Sequence, residues 1–148
     1  MSETSLDEDM ITPQELRRIS EDKEMAEIRE ALEHQKRLEA QQKELYTAFI
    51  NQHIQPDAKE RLKAEVRQAA ERGQNEIQVM RFPSDFCSDG GRAVNNFEPD
   101  WHDSLTGYAK EAYEAWEQHL QPLGYKLRAQ VLNYPNGMPG DIGIFLRW

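Results

Sequence analysis

The spacing of apolar side chains divides the chain into a long helical segment and a region that mixes helices with strands. Large apolar residues recur at helical intervals from Leu16 to Phe49, and neither Gly nor Pro interrupts residues 14–55. Residues 12–15 (TPQE) place a hydroxyl, a proline and a carboxylate where the start of a helix uses them. This pattern predicts a helical arm over residues 12–55.

The apolar stripe of the arm shifts between Leu32 and Leu38, because a continuous heptad seam would place its next apolar residue at position 39. The shift fits a stutter in one long helix, as in a coiled coil, or a bend between two helices. An unbroken helix of this length exceeds the width of a small domain. It must therefore pack on a second copy, on another partner or, after folding back, on its own domain.

After Pro56 the pattern predicts two helices and three strands. Asp57 and Glu60 have the spacing of a capping box for a helix that ends at Gly73. A second helix begins near residue 103 or 106 and ends near residue 121. We expect Trp116, on the apolar face of this helix, to lie in one core with Leu127 of the sheet. Segments rich in β-forming or alternating residues predict strands over residues 76–82, 125–132 and 142–148.

The order helix–strand–helix–strand–strand indicates an α+β fold. A helical crossover joins the first two strands, so they should be parallel, and a loop joins the last two into an antiparallel hairpin. We therefore expect a two-layer sandwich with a three-stranded mixed sheet and two helices on one face. The predicted domains are a disordered acidic tip (residues 1–11), the arm (12–55) and a compact α+β domain (56–148).

Composition limits the class of protein. The 148 residues include 27 acidic and 18 basic side chains, for a net charge of -9, which disfavours a dedicated nucleic-acid binder. No apolar run approaches the length of a membrane span, and the first thirty residues do not resemble a secretory signal. Because Cys87 is the only cysteine, no intrachain disulfide can form, and we expect a cytoplasmic protein.

The irregular stretch from Asp85 to Asp103 contains the residues best suited to catalysis. Cys87 is a candidate nucleophile, His102 a candidate base, and Asp85 a carboxylate that would orient the imidazole. The favoured interpretation of Cys87 is nevertheless a small, half-buried apolar residue, because the spacing matches no known signature and nothing beside Cys87 suggests a lowered pKa. The aspartates lack the spacing of a calcium loop, so no metal or cofactor is predicted.

Two further features suggest binding. Asp89-Gly90-Gly91-Arg92 has the composition of an anion nest with Arg92 beside it, although a tight turn before a short helix is favoured. On the predicted sheet, alternation turns one set of basic and aromatic side chains away from the core: Lys126, Arg128, Phe145 and Arg147. We expect the acidic arm to cover this face, with RNA binding and a bare solvated face as the alternatives.

These patterns favour a small, non-enzymatic protein-interaction module whose acidic helical arm binds a protein partner or self-associates. The alternative is a small enzyme or ligand-binding domain that uses Cys87 and His102 in the Asp85–Asp103 loop. RNA binding through the basic and aromatic sheet face is the third hypothesis. The sequence predicts neither a membrane partner nor a nucleic-acid partner as the main target.

Overall fold

The computed structural model describes residues 9–148, so the predicted disorder of residues 1–11 falls mostly outside the described residues. The first element, helix α1, is a single unbroken helix, Pro13–Asn51. The backbone N–H of Glu15 donates a 3.2 Å hydrogen bond to the hydroxyl of Thr12, as the sequence predicted for this helix start. The arm is therefore one long helix rather than two helices joined by a bend.

The chain divides into two compact units between Leu45 and Tyr46. In the first unit, α1 runs through residues 13–45, and every one of these residues is exposed to solvent. We call these residues the exposed α1 segment. The second unit, Tyr46–Trp148, contains the last turn of α1 and all later elements. Among the described residues, no helix is both long and apolar enough to cross a membrane.

The second unit has the mixed α+β composition that the sequence predicted. Its elements after α1 are α2 (Ala58–Glu71), β1 (Glu76–Pro83), α3 (Arg92–Asn95), α4 (Gly107–Ala115), β2 (Lys126–Val131) and β3 (Asp141–Arg147). A π-helical turn, Trp116–Leu120, and a 3-10 turn, Gln121–Leu123, follow α4.

The start of α2 differs from the prediction in its capping. Asp57 is the N-cap residue of α2, but its side chain makes no capping hydrogen bond. Its carboxylate instead lies 3.2 Å from Nε of Arg61, one turn further along the helix. The predicted capping box is therefore wrong, because an i,i+4 ion pair takes the carboxylate that the box requires.

The sheet is entirely antiparallel, with strand order β1-β3-β2, so the predicted mixed sheet is wrong in its pairing. The predicted hairpin of β2 and β3 is present. Strands β1 and β2 are parallel in direction, as the crossover implies, but β3 lies between them and pairs with both. Since every hydrogen-bonded neighbour runs in the opposite direction, the sheet contains no parallel ladder.

The core lies between the sheet and the helices that cover one of its faces. Ile142 and Leu146, on the central strand, are the largest completely buried side chains. Phe49, from the last turn of α1, packs at ring-centroid distances of 5.5 Å from Phe82 and 4.9 Å from Phe86. The C-terminal end of α1 is thus part of the same core as the sheet.

Two helix ends in this unit use the same hydrogen-bonding motif with different residues at the critical position. After α2, the N–H groups of Gly73 and Gln74 donate to Ala70 and Ala69, and Gly73 has φ +81°. After α3, Phe97 occupies the position equivalent to Gly73, with φ 54° and a side chain that is 83% exposed. Phe97 therefore holds a left-handed conformation that favours glycine, without burying its ring.

We expect Phe97→Gly to raise the free energy of unfolding by about 1 kcal/mol, because glycine adopts positive φ without steric strain. The matched change Gly73→Ala, where an added Cβ would meet no atom within 4 Å, should lower it by a similar amount. Denaturant titration measures both variants. A Phe97→Gly protein that unfolds more easily than the wild type would contradict the assignment of strain.

Candidate functional site

The second unit has a groove between α2 and the helical residues 107–120. It has a volume of about 640 Å³. Its floor includes Met80 and Leu127 from the sheet, and its walls include Leu62 from α2 and Trp116 from the π-helical turn. A groove of this size with a mainly apolar lining has the properties of a binding site.

Two irregularities of the backbone shape this groove. The wide turn at residues 116–120 places Trp116 and His119 along one wall, and the Trp116 indole N–H donates a 3.2 Å hydrogen bond to the carbonyl of Tyr125. On the sheet, the register between β1 and β3 shifts between Gln78 and Met80, so that Val79 has no partner and lines the groove. π-Turns and β-bulges are both enriched next to functional sites.

The groove is open rather than filled. The sequence placed Trp116 and Leu127 in one closed core, but both line the groove and are only partly buried. The sequence predicted the helix and the strand that carry them. It did not predict the groove, because the groove depends on the spacing between two helices that are distant in sequence.

Charged groups are confined to the edges of the groove. Lys59 and Arg61 are exposed on the α2 side with Glu65, and His119 is exposed on the other side. Burial is the main cause that raises the pKa of Tyr113, and the nearby carboxylates of Glu117 and Asp103 raise it further. The phenol therefore stays neutral. Among residues 9–148, no buried side-chain polar atom lacks a hydrogen-bond partner. The arrangement suits apolar contact with a weakly basic edge more than it suits catalysis.

The predicted basic and aromatic residues share one face of the sheet, and that face also carries a carboxylate. Cross-strand pairing aligns Arg128 with Phe145 and Lys126 with Arg147, so the four predicted residues share one face. The same register adds Glu76 from β1. Sequence reasoning missed Glu76, because its place on this face depends on β1 pairing with β3 rather than with β2.

Glu76 binds the two arginines of this face. Its carboxylate accepts hydrogen bonds of 2.6 and 2.8 Å from Arg128 and lies 3.4 Å from Nε of Arg147. The hydrogen bond from Arg128 is the main cause that lowers the pKa of Glu76 and, reciprocally, raises the pKa of Arg128. Because one carboxylate neutralises charge that a phosphate would need, the face is a poorer platform for RNA than its sequence suggests.

The aromatic ring on this face has a cover within its own unit. The guanidinium carbon of Arg128 lies 4.2 Å from the ring centroid of Phe145, in cation–π geometry. The arm residues that were expected to pack there, Ile28 and Leu32, are 55% and 53% exposed. Arg128 therefore covers the Phe145 ring within this unit, and cover of the face by the arm stays a prediction.

The structure does not assemble the predicted nucleophile–base pair. Cys87 is a buried core residue, and burial raises the pKa of its thiol to about 11. The other groups that act on this pKa are Ser104 and Asp89, rather than His102. The His102 ring instead stacks on Tyr113 at 4.7 Å. Cys87 is thus a small apolar residue, as the sequence favoured, but it is buried rather than half-buried.

The two other candidates of the Asp85–Asp103 loop have surroundings different from that of Cys87. Asp85 is exposed in the turn that follows β1. Nε2 of His102 lies 3.4 Å from a carboxylate oxygen of Asp103. In the described part of the chain, no group of three or more His, Cys, Asp or Glu side chains is placed to hold a metal ion.

The glycine turn before Arg92 is filled by its own aspartate. The carboxylate of Asp89 accepts 2.9 Å hydrogen bonds from the N–H groups of Gly91 and Ala93. A side chain at Gly91 would meet Cβ of Ser84 at 2.8 Å, so the close approach requires glycine. Arg92 is exposed outside this turn. The turn interpretation fits these contacts, because the amides that would bind an anion already have a ligand.

No family model matches the sequence, and neither the curated proteins nor the solved structures compared with it include a match. The groove and the exposed α1 segment are the candidate functional surfaces of this chain.

Cys87 should be inert in the folded protein. A pKa about two units above its ordinary value of 9.0 reduces the thiolate fraction by about 100-fold, and burial further limits access. We expect a thiol reagent to label native Cys87 at least about 100-fold more slowly than the denatured chain. Labelling as fast in the native protein as in denaturant would restore Cys87 as a candidate nucleophile.

The Glu76 pair should contribute stability that depends on pH. Because the folded pKa of Glu76 lies below its ordinary value of 4.5, the contribution is present above that value and is lost as the pH falls through the folded pKa. Glu76→Gln should therefore be less stable than the wild type at neutral pH, with a difference that shrinks below about pH 4. Glu114→Gln, an exposed change on α4, is the control. Denaturant titration at each pH measures the free energy of unfolding of both proteins. A difference between wild type and Glu76→Gln that stays constant with pH would refute the pairing.

Proposed function

We propose that this protein is a non-enzymatic protein-interaction module that self-associates through the exposed α1 segment. The observation that carries the proposal is the exposure of large apolar side chains along a continuous helix. Seven of them in residues 13–45 are about half exposed: Leu16, Ile19, Met25, Ile28, Leu32, Leu38 and Leu45. Since helical stability in proteins comes mostly from packing of an apolar face, such a helix requires a partner.

The charge of the segment is compatible with a second copy as that partner. Residues 13–45 contain nine acidic and seven basic side chains, interspersed along the helix. Two such segments do not repel each other strongly at physiological salt, because exposed charges are screened over about 8 Å. The strongly acidic residues of the chain's first ten positions lie outside this stretch. Self-association is therefore preferred to binding of a strongly basic target.

The apolar contact within the segment is short. Met25, Ile28 and Leu32 follow one heptad seam, whose next positions are Gln35, Glu39 and Gln42. Gln35 donates a 3.3 Å hydrogen bond to Glu39 within the same helix. We call Met25, Ile28 and Leu32 the seam, and we propose that these three residues, rather than a long coiled coil, form the contact.

The proposal includes a cytoplasmic location. Its support is the single cysteine, which is a free thiol in the core, as is usual for proteins of a reducing compartment. An enzymatic role through Cys87 and His102, and an RNA-binding role through the sheet face, have no comparable support from the contacts described above.

We expect the full chain to dimerise reversibly, and Ile28→Glu to weaken dimerisation by at least about 10- to 100-fold, the effect of losing one buried Ile side chain. Ile19→Glu is the matched control: Ile19 is 58% exposed against 55% for Ile28, and nine residues place it on the opposite side of the helix. Analytical ultracentrifugation over a concentration series measures both. A wild-type chain that stays monomeric throughout, or equal weakening by both changes, would contradict the proposal.

A further inference from the structure

The groove is the second unpartnered apolar surface of this chain. Met80, Trp116 and Leu127 are partly exposed along it, and Leu123, at its edge, is 73% exposed. An apolar groove of about 640 Å³ that faces water marks a site for an apolar partner. The shape of a slot between two helices is suited to a third helix.

The seam has the spacing of a helix that binds in such a slot. Met25, Ile28 and Leu32 occupy positions i, i+3 and i+7, which is the anchor pattern of helix-in-groove recognition. They span about two helical turns, or about 10 Å. The groove is long enough for this stretch, since α2 contributes residues from Ala58 to Glu65, about the same length, and the opposite wall extends further, from Tyr108 to Leu123.

Charge agrees with this pairing. Residues 20–33, which carry the seam, contain six acidic and two basic side chains. The edges of the groove carry Lys59, Arg61 and His119 with Glu65, and the carboxylate of Asp57 lies 3.2 Å from Nε of Arg61, so the edges are only weakly basic. Exposed pairs of this kind are individually weak, so apolar burial must supply most of the affinity and charge sets the orientation.

The groove also gives the seam apolar neighbours on more sides than a second seam does. A pair of seams offers three anchors from each helix, bordered by Gln35 and Glu39. The groove offers the seam a floor and two walls of apolar and aromatic side chains. The polar residues beyond Leu32 then lie outside the contact and cost nothing to desolvate.

We infer that the seam of one copy binds in the groove of a second copy, and that the exchange is reciprocal. This inference rests on the proposed self-association and names the surface that receives the α1 segment. Reciprocal exchange makes the interface isologous, so that it closes as a two-fold dimer and leaves no free site for further growth.

A groove variant separates this inference from the proposed function. Leu123→Glu places a charge at the groove, and because Leu123 is 73% exposed the fold should tolerate it. Met138→Glu is the matched control, since Met138 is 67% exposed and lies outside the groove. We expect ultracentrifugation of the full chain to show dimerisation weakened about tenfold or more by Leu123→Glu and unchanged by Met138→Glu. If Ile28→Glu abolishes the dimer while Leu123→Glu leaves it intact, self-association stands and the inference is overturned.

Cross-linking identifies the contact directly. Two full-length proteins, one with Ile28→Cys and one with Leu123→Cys, are mixed and treated with a short bismaleimide, while the buried thiol of Cys87 stays unreactive. We expect a product that joins one molecule of each kind, and little product when Ile19→Cys replaces Ile28→Cys. Efficient joining of two Ile28→Cys molecules would show seam-to-seam pairing and overturn the inference. Joining within a single chain that carries both changes, at monomer mass, would also overturn it.

Discussion

The packing of Phe49 against Phe82 and Phe86 is the contact on which the organisation of this chain depends. It makes the last turn of a 39-residue helix part of the core of the second unit. Gly107 permits the close approach, because an added Cβ there would lie 2.9 Å from Cα of Ile50. The helix is therefore held at its C-terminal end by side-chain burial. Residues 9–45 contain no buried side chain, so their apolar surface is available to a partner.

The same core is closed where Phe49 enters it and open between α2 and α4. Ile142 and Leu146 are sealed beneath the helices, whereas Met80 and Leu127 on the same sheet face remain partly exposed in the groove. A three-stranded sheet with two covering helices supplies limited apolar burial, and the irregular turn at Trp116 holds the two walls apart. A chain with an open groove and an unpartnered helix has two apolar surfaces that association would remove from water together.

Local chemistry was readable from the sequence, and contacts between distant segments were not. The hydroxyl of Thr12 and the positive φ of Gly73 follow from rules that involve neighbouring residues, and both are present. The strand alternation likewise placed Arg128 and Phe145 on one face. The central position of β3 could not be predicted, because pairing of β1 with β3 joins segments about 60 residues apart.

The candidate site was harder to predict than the fold for the same reason. The ion pair of Glu76 with Arg128 requires the true strand order, and the groove requires the distance between two helices. Phe97 is a different case, since its position at a helix end is a local feature but the rule for that position favours glycine. Local rules therefore fail at Phe97 and at Asp57, whose carboxylate pairs with Arg61 instead of capping α2.

Hydrogen exchange measured by mass spectrometry at several protein concentrations tests the central claim that the exposed α1 segment is ordered by association. If the account is correct, amide protection in residues 13–45 rises with concentration, because dimerisation orders a helix that is marginal alone. Protection of the central strand, Asp141–Arg147, should stay constant, because its core is complete within one chain. Protection of residues 13–45 that is independent of concentration would contradict the account.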